Sequence, residues 1–184
     1  MPGVIAMMAN PSTARQAGIS LVEVLVTLLI LAIGLLGMAG MQVRAQQAEM
    51  ESYQRAQALI LLEDMASRMA ANKIFRTCYK TATYLGQGNT YSASGCSGSA
   101  DADLQAWDSL LKGSAETLDG NSVGAMIGAR GCITGDANEF LISVAWQGLS
   151  PTVAPTSSSC GEGLYGDDAL RRVVTRNLRF AVLN

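Results

Sequence analysis

The 184-residue sequence contains no histidine and only four prolines. Without histidine the chain cannot form the Ser-His or Cys-His pairs that activate a nucleophile. It also contains neither a phosphate-binding loop nor a glycine-rich dinucleotide motif. No proline occurs from residue 12 to residue 150, so a long helix can run there without interruption. We therefore predict that the protein is not an enzyme, has no catalytic residues and takes no cofactor.

The charge is also low, with 13 basic and 15 acidic residues and a formal net charge of −2. Nucleic-acid-binding domains usually carry a strongly basic patch, so the balance of charge argues against that function. Arg15 and Arg44 flank the apolar segment described next, one on each side. The distribution of basic residues therefore does not determine the orientation of that segment in a membrane.

The most informative stretch lies near the start of the chain, where Gly18 precedes a long apolar segment. No charged residue occurs from Val24 to Val43, which is about the 20 residues needed to cross a bilayer as a helix. A secretory signal is cleaved after its apolar region. The cleavage expected here, between Gly18 and Ile19, lies before it. The apolar segment would then become the N-terminus of the mature protein and anchor it in a membrane.

Gly18, the apolar residue after it and an acid at the fifth mature position, Glu23, resemble the processing site of type IV prepilins and pseudopilins. Four longer stretches resemble the PilV-type minor pilins, also called type IV pilus modification proteins. These stretches are Ile19–Gly37, Ala56–Asn72, Val144–Gly148 and Arg171–Val174. The likeness covers most of the chain but is dense only over the first 55 mature residues.

The resemblance implies that a prepilin peptidase, which is also an N-methyltransferase, cleaves after Gly18 and methylates the new amine of Ile19. It also implies that Glu23 engages the N-terminal amine of a neighbouring subunit during assembly. A carboxylate in the bilayer costs about 2.5 to 3.5 kcal/mol on insertion scales, so such a partner would be favourable. The alternative is an acid that only complements the dipole at the start of its own helix.

Helical periodicity continues beyond the apolar segment. Small or apolar residues recur every three or four positions at Met41, Ala45, Ala48, Ser52, Ala56, Leu59, Leu62, Ala66 and Met69. One helix is therefore predicted from about Ile19 to Asn72. We expect four segments: a leader (1–18), an apolar transmembrane or filament-core half of the helix (19–43), an amphipathic half (44–72) and a globular head (73–184).

The head is predicted to be a small antiparallel sheet of three or four strands packed on the long helix, an α+β fold of the pilin type. The clearest strand is Phe140–Gln147, with Phe140, Ile142, Val144 and Trp146 on one face. Ser122–Ile127 and Leu170–Val182 are weaker candidates. Asp103 is expected to cap a short helix in which Leu104, Trp107 and Leu111 share a face.

Two loops and a group of arginines complete the predictions for the head. The segment 81–100 is rich in Gly, Ser and Thr and is expected to be a surface loop, as is the segment 148–166. Arg171, Arg172, Arg176 and Arg179 are expected to form a solvated strand face, with docking to an acidic subunit as the alternative.

Four cysteines, Cys78, Cys96, Cys132 and Cys160, all follow the apolar segment, where export would expose them to oxidising conditions. Three disulfide pairings can be drawn, and we favour Cys78–Cys96 with Cys132–Cys160, since each closes one Gly/Ser-rich excursion. Zinc is disfavoured because no two cysteines are close in sequence and histidine is absent, so no metal site is predicted.

The resemblance implies a low-abundance subunit that primes assembly of a type IV pilus and so supports adhesion and twitching motility. Its partners would be the peptidase, other minor pilins, the major pilin and the assembly platform, with no nucleic acid. The protein would lie in the bacterial inner membrane, with a periplasmic head, and in the surface pilus. A type II secretion pseudopilin, a major pilin and a single-pass membrane enzyme remain as alternatives.

Overall fold

The computed structural model describes residues 18–93, 95–96, 98–124 and 126–181. The predicted leader up to residue 17, with Arg15, lies outside the described residues, as does Val182 at the end of one predicted strand. The chain forms two compact units, Met1–Arg44 and Ala45–Asn184. Each is described separately below.

The long N-terminal helix, α1, spans Leu21–Ala71 and agrees with the prediction to within two residues at its start and one at its end. It contains neither proline nor an interior β-branched run long enough to oppose helix formation. A 3-10 helix, Lys73–Tyr79, follows it directly. Within the first unit, every described residue from Gly18 to Arg44 is exposed. α1 contains a stretch that is long and apolar enough to cross a membrane.

In the second unit, α1 buries a different stripe from the predicted one. The buried residues are Gln54, Ala58, Leu62, Met65, Ala66 and Met69. Leu62, Ala66 and Met69 were predicted correctly, whereas Ala48, Ser52, Ala56 and Leu59 are exposed. Small or apolar residues occupy more than one face of this helix, so periodicity did not determine which face the sheet would cover.

The head combines a four-stranded antiparallel sheet with a second helix and a small hairpin, which confirms the predicted fold class. The sheet has the order β1-β4-β5-β6, and β2 pairs with β3 in the hairpin. The elements are β1 (Leu85–Gly86), α2 (Ala100–Leu111), β2 (Thr117–Leu118), β3 (Asn121–Ser122), β4 (Arg130–Asp136), β5 (Glu139–Gln147) and β6 (Arg171–Arg179).

The core lies between one face of the sheet and the two helices. The four residues predicted to share a face of β5 are all buried in it, together with Met65 and Met69 of α1. Leu104, Trp107 and Leu111 of α2 are buried there as predicted. The assignment of Asp103 as a cap was wrong, because α2 begins at Ala100 and Asp103 therefore lies in its first turn.

Two strand predictions failed for identifiable reasons. Ser122–Ile127 was predicted as a strand, but of its described residues only the first is in a strand, the exposed β3. β4 was missed because its sequence, Arg-Gly-Cys-Ile-Thr-Gly-Asp, contains two glycines and lacks an apolar alternation. Gly131 is needed because a Cβ there would overlap the ring of Trp107. The expected surface loop 81–100 likewise contains β1, whose Leu85 is buried.

The face of the sheet opposite the helices is also covered. Ala145, Cys160 and Tyr165 form a second small buried cluster there, and the side chain of Ser143 is almost fully buried. The predicted loop 148–166 supplies this cover by folding back over β5. The sheet is thus buried on both faces near its centre, which the alternation along β5 alone did not indicate.

Candidate functional site: the N-terminal segment and the arginine strand

The expected cleavage pair lies immediately before the first turn of α1. Gly18 and Ile19 have no regular secondary structure, and 76% of Ile19 is exposed. The first turn begins when the amide of Val24 donates a 3.2 Å hydrogen bond to the carbonyl of Ser20. A protease needs an extended, accessible backbone, and glycine has no Cβ to obstruct close approach. Gly18 and Ile19 are both exposed and lie outside regular secondary structure, so the peptide between them is accessible.

Glu23 lies in the first turn of α1 and is exposed. Within the described part of the chain it has no ion-pair partner. Its position next to the unsatisfied amides of a helix start favours a negative charge. Cleavage after Gly18 would create an α-amino group four residues earlier. The carboxylate is thus available to a cation from outside the described residues.

The structure forms two disulfides, Cys78–Cys96 and Cys132–Cys160, with Cα separations of 5.9 and 5.8 Å. This is the favoured pairing of the three. The first disulfide joins the 3-10 helix after α1 to the segment before α2. The second joins β4 to the loop that covers the outer face of the sheet. Each disulfide therefore fastens one long loop to the secondary structure.

The four arginines of β6 do not share one solvated face as predicted: Arg171 is buried and Arg172 is half-buried, whereas Arg179 is exposed. Among the described residues, each of its four arginines pairs with an acid of this same chain. On the core side, Arg172 contacts Glu51 of α1 at 3.3 Å, and Arg176 pairs with Glu63 farther along that helix. Arg179 contacts Glu139 on the neighbouring strand at 2.6 Å. Two of these pairs therefore join the edge strand to α1.

Arg171 has the most enclosed environment of the four, with 2% of its surface exposed. Its guanidinium contacts both carboxylate oxygens of Asp168 at 2.8 Å. It also donates to three carbonyl oxygens of the covering loop, those of Pro155, Ser158 and Cys160, at 2.9, 2.6 and 3.3 Å. The hydrogen bond from Arg171 holds the pKa of Asp168 below its ordinary value of 3.8. Arg171 thus holds the loop against the sheet.

A second polar cluster joins the ends of the two helices and was not anticipated. The buried hydroxyl of Tyr79 donates to Asp103, which also accepts hydrogen bonds from Arg68 at 3.2 Å and Ser99 at 2.9 Å. Burial, reinforced by the hydrogen bond to Asp103, raises the pKa of Tyr79. Arg68 also contacts Asp64, one turn earlier on α1, at 2.8 Å.

The described residues thus comprise an exposed apolar start of α1, with the expected cleavage pair before it, and a head in which the four arginines of β6 are paired with acids. Comparison with known proteins gives two matches. Residues 13–39 match the prokaryotic N-terminal methylation motif, and residues 40–110 match the type IV pilin Tt1218 family. No curated protein and no solved structure shows a significant match to the chain.

The methylation-motif match includes Gly18, Ile19 and Glu23, and the pilin match covers the amphipathic half of α1 and α2. The two matches are contiguous, and the long helix runs through the boundary between them. Over residues 13–110 the chain is therefore similar to type IV pilins and to the methylation motif at their N-terminus.

Proposed function

We propose that this protein is a minor pilin of the type IV pilus modification type, which helps to prime pilus assembly and so supports adhesion and twitching motility. The observation that carries the proposal is the match of residues 13–39, which include the exposed apolar start of α1, to the methylation motif, followed by the match of residues 40–110 to a type IV pilin family. Such a helix can be held in lipid and then transferred into a filament, where similar helices replace the lipid. Assembly then exchanges one apolar environment for another.

The proposed processing is cleavage between Gly18 and Ile19 by a prepilin peptidase, followed by methylation of the new amine. The intact mass of protein purified from membranes tests this step directly. We expect the mass of residues 19–184 plus one methyl group, less four hydrogens for two disulfides. A mature N-terminus at a methionine, or beyond residue 43, would refute the proposed processing.

Glu23 is proposed to pair with the N-terminal amine of a neighbouring subunit. Glu23→Ala should therefore leave cleavage intact but reduce incorporation into pili, measured as the ratio of this protein in sheared pili to that in membranes. Glu49→Ala is the matched control, because Glu49 is an exposed acid on the same helix outside the uncharged segment. Equal incorporation of the two variants would contradict the pairing.

A role in type II secretion is the second candidate, since pseudopilins share the processing and the long helix. Deletion of the gene separates the two. Loss of surface pili and twitching with normal secretion supports the minor pilin. Loss of secretion with normal pili supports the pseudopilin. If purified pili consist mainly of this protein, it is a major pilin instead.

A further inference from the structure

The outer edge of β6 is a free edge of the four-stranded sheet. β6 is the last strand in the order of the sheet and pairs with β5 on one side. The Phe180 amide donates to the Asn138 carbonyl at 2.8 Å, so the even-numbered residues of β6 are those that bond to β5. The backbone amides and carbonyls of Val173, Thr175 and Asn177 therefore point outward, and none has a hydrogen-bond partner in the described part of the chain. An edge of this kind can accept a further strand.

Beside this edge, α1 leaves a row of small and apolar side chains uncovered. Helical spacing places the exposed residues of this row on one side of the helix: Ala48, Ser52, Ala56 and Leu59. One end of the row borders β6 because Ser52 and Val173 line the same cleft. The other end borders β6 because Glu63, one turn after Leu59, pairs with Arg176. The free edge and the row form the two walls of a groove, which we term the β6 groove.

A cleft of about 330 Å³ at one end of the β6 groove contains a cation without a partner. Arg55 and Trp146 are among the residues that line it. Arg55 is exposed and forms no ion pair with any described residue, whereas Glu51, one turn earlier, pairs with Arg172. The buried indole N–H of Trp146 also has no acceptor among the described residues. The cleft therefore favours an occupant that carries acceptors, and a carboxylate is the acceptor that binds a guanidinium most strongly.

The arginines of β6 oppose pairing with a second copy of the same strand. Because only odd-numbered residues offer free backbone groups, two antiparallel β6 strands would pair odd with odd and even with even. Pairing of all nine residues would place Arg171 opposite Arg179. The two registers that are one step shorter would place Arg172 opposite Arg176, or Arg176 opposite its own copy. Like charges directly opposite each other are destabilising, so the occupant is a different polypeptide.

We propose that the β6 groove binds an extended segment of a different polypeptide as a fifth strand of the sheet, with an aspartate or glutamate of that segment paired with Arg55. The free amides and carbonyls of β6 bond to the backbone of the segment and supply affinity without a sequence requirement. The side chains that face α1 are small or apolar, because they cover Ala56 and Leu59. The acid fixes the register of the segment.

Amide-resolved hydrogen exchange of the full-length protein in detergent tests the free edge. We expect the amides of Val173, Thr175 and Asn177 to exchange at least about 100-fold faster than those of Val174 and Arg176, which bond to β5. Equal protection of the two sets would show that the edge is already covered, and would overturn the proposal.

Photo-cross-linking in native cells tests the occupant. Benzoylphenylalanine at Leu59 or Asn177 should cross-link to one segment of a different polypeptide, and mass spectrometry should find an aspartate or glutamate in that segment. Leu118, 65% exposed on the β2–β3 hairpin, is the matched control position and should not cross-link to it. Arg55→Glu should reduce the yield several-fold, whereas Arg55→Lys should keep most of it.

Arg55 is exposed and unpaired, so neither substitution should disturb the fold, and both variants are checked for two intact disulfides. The proposal is overturned by cross-linking to a second copy, by a segment without an acid, by a yield no higher than at Leu118, or by an unchanged yield in Arg55→Glu. None of these outcomes affects the proposed role in pilus assembly, which depends on the N-terminal segment.

Discussion

At the residue scale, the arginines of β6 show how one side-chain type takes different roles in different environments. Arg171 is 2% exposed and bound to a carboxylate and three carbonyls, whereas 77% of the Arg179 side chain is exposed beside Glu139. A buried charge that loses its partner is costly, while an exposed ion pair contributes little. Sequence alone presents the two residues as equivalent.

Arg171→Met should therefore lower the free energy of unfolding by about 3 kcal/mol, because Asp168 and the loop carbonyls lose their donor. Arg179→Met is the matched control and should cost less than about 1 kcal/mol. Denaturant unfolding of the two purified variants measures both effects. Similar losses in the two variants would contradict the assigned role of Arg171.

Asp168 provides a prediction of pH dependence. Its pKa is lowered in the folded protein, so its contribution to stability is present above the unfolded pKa, near the ordinary value of 3.8, and is lost as the pH falls through the lower folded pKa. Asp168→Asn should flatten the acid limb of a plot of unfolding free energy against pH. In an Arg171→Met background the same change should have little effect on that limb, and an undiminished effect would argue against the coupling.

At the element scale, contact between α2 and β4 depends on a residue without a side chain. A Cβ at Gly131 would overlap the Trp107 ring and approach Leu111 Cδ1 to 2.7 Å. Both of these residues are fully buried, so neither can move aside easily. The same glycine weakened the strand signal of β4. The close packing that requires glycine at position 131 is thus one reason that β4 was not predicted from the sequence.

Gly131→Ala should destabilise the head by about 1 to 3 kcal/mol through overpacking. Thermal unfolding followed by tryptophan fluorescence measures this, because both tryptophans, Trp107 and Trp146, are buried in the core. Ser67→Ala, on the exposed side of α1, is the control and should change stability by less than about 0.5 kcal/mol. If Gly131→Ala left the stability unchanged, α2 would have to shift to accept the methyl group, which would contradict this prediction.

The pairs between α1 and β6 should also differ in strength. Glu51 accepts hydrogen bonds from the amide of Leu149 and the hydroxyl of Ser150 as well as from Arg172. Among the described residues, Glu63 has Arg176 as its one partner. Glu51→Gln should therefore cost about 1 to 2 kcal/mol and Glu63→Gln less than about 1 kcal/mol. Denaturant titration compares them, and the reverse order would refute this account.

At the scale of the whole molecule, stability and processing belong to different units. All of the buried apolar residues among those described lie between Ala58 and Val174, and every described residue before Glu51 is exposed. Both disulfides are also in the second unit. The first unit thus contributes the expected cleavage site and apolar surface, and the second contributes the folded core.

A chain that begins at Ala45 should therefore fold without the first unit. We expect this shortened chain to form both disulfides and to unfold within about 1 kcal/mol of the full-length protein in the same detergent, because every described buried residue and all four cysteines lie after residue 45. Denaturant unfolding and thiol titration measure this. Free thiols or a much lower midpoint would show that residues before 45 stabilise the head.

The amino-acid sequence by itself determined the long helix, the expected processing site and the buried face of β5. Each depends on a local feature: an uncharged run, a glycine before that run, and a strict alternation of apolar residues. α2 was recognised for the same reason. Such patterns act within a few residues of one another and need no knowledge of distant partners.

Only the tertiary structure decided which stripe of α1 is buried, that the outer face of the sheet is covered, and that Arg171 is enclosed. The buried stripe of α1 depends on residues far apart in sequence, since Glu51 contacts Arg172 across 121 positions. The carbonyls around Arg171 belong to residues 11 to 16 positions earlier, in a loop whose path the sequence pattern did not indicate. More than one face of α1 is apolar enough to pack. An arginine side chain can be hydrated at the surface, or it can be buried if a carboxylate and carbonyl oxygens accept its hydrogen bonds. Which face of α1 and which arginine are buried depends on the elements that pack against them, since burial is a property of the assembled core.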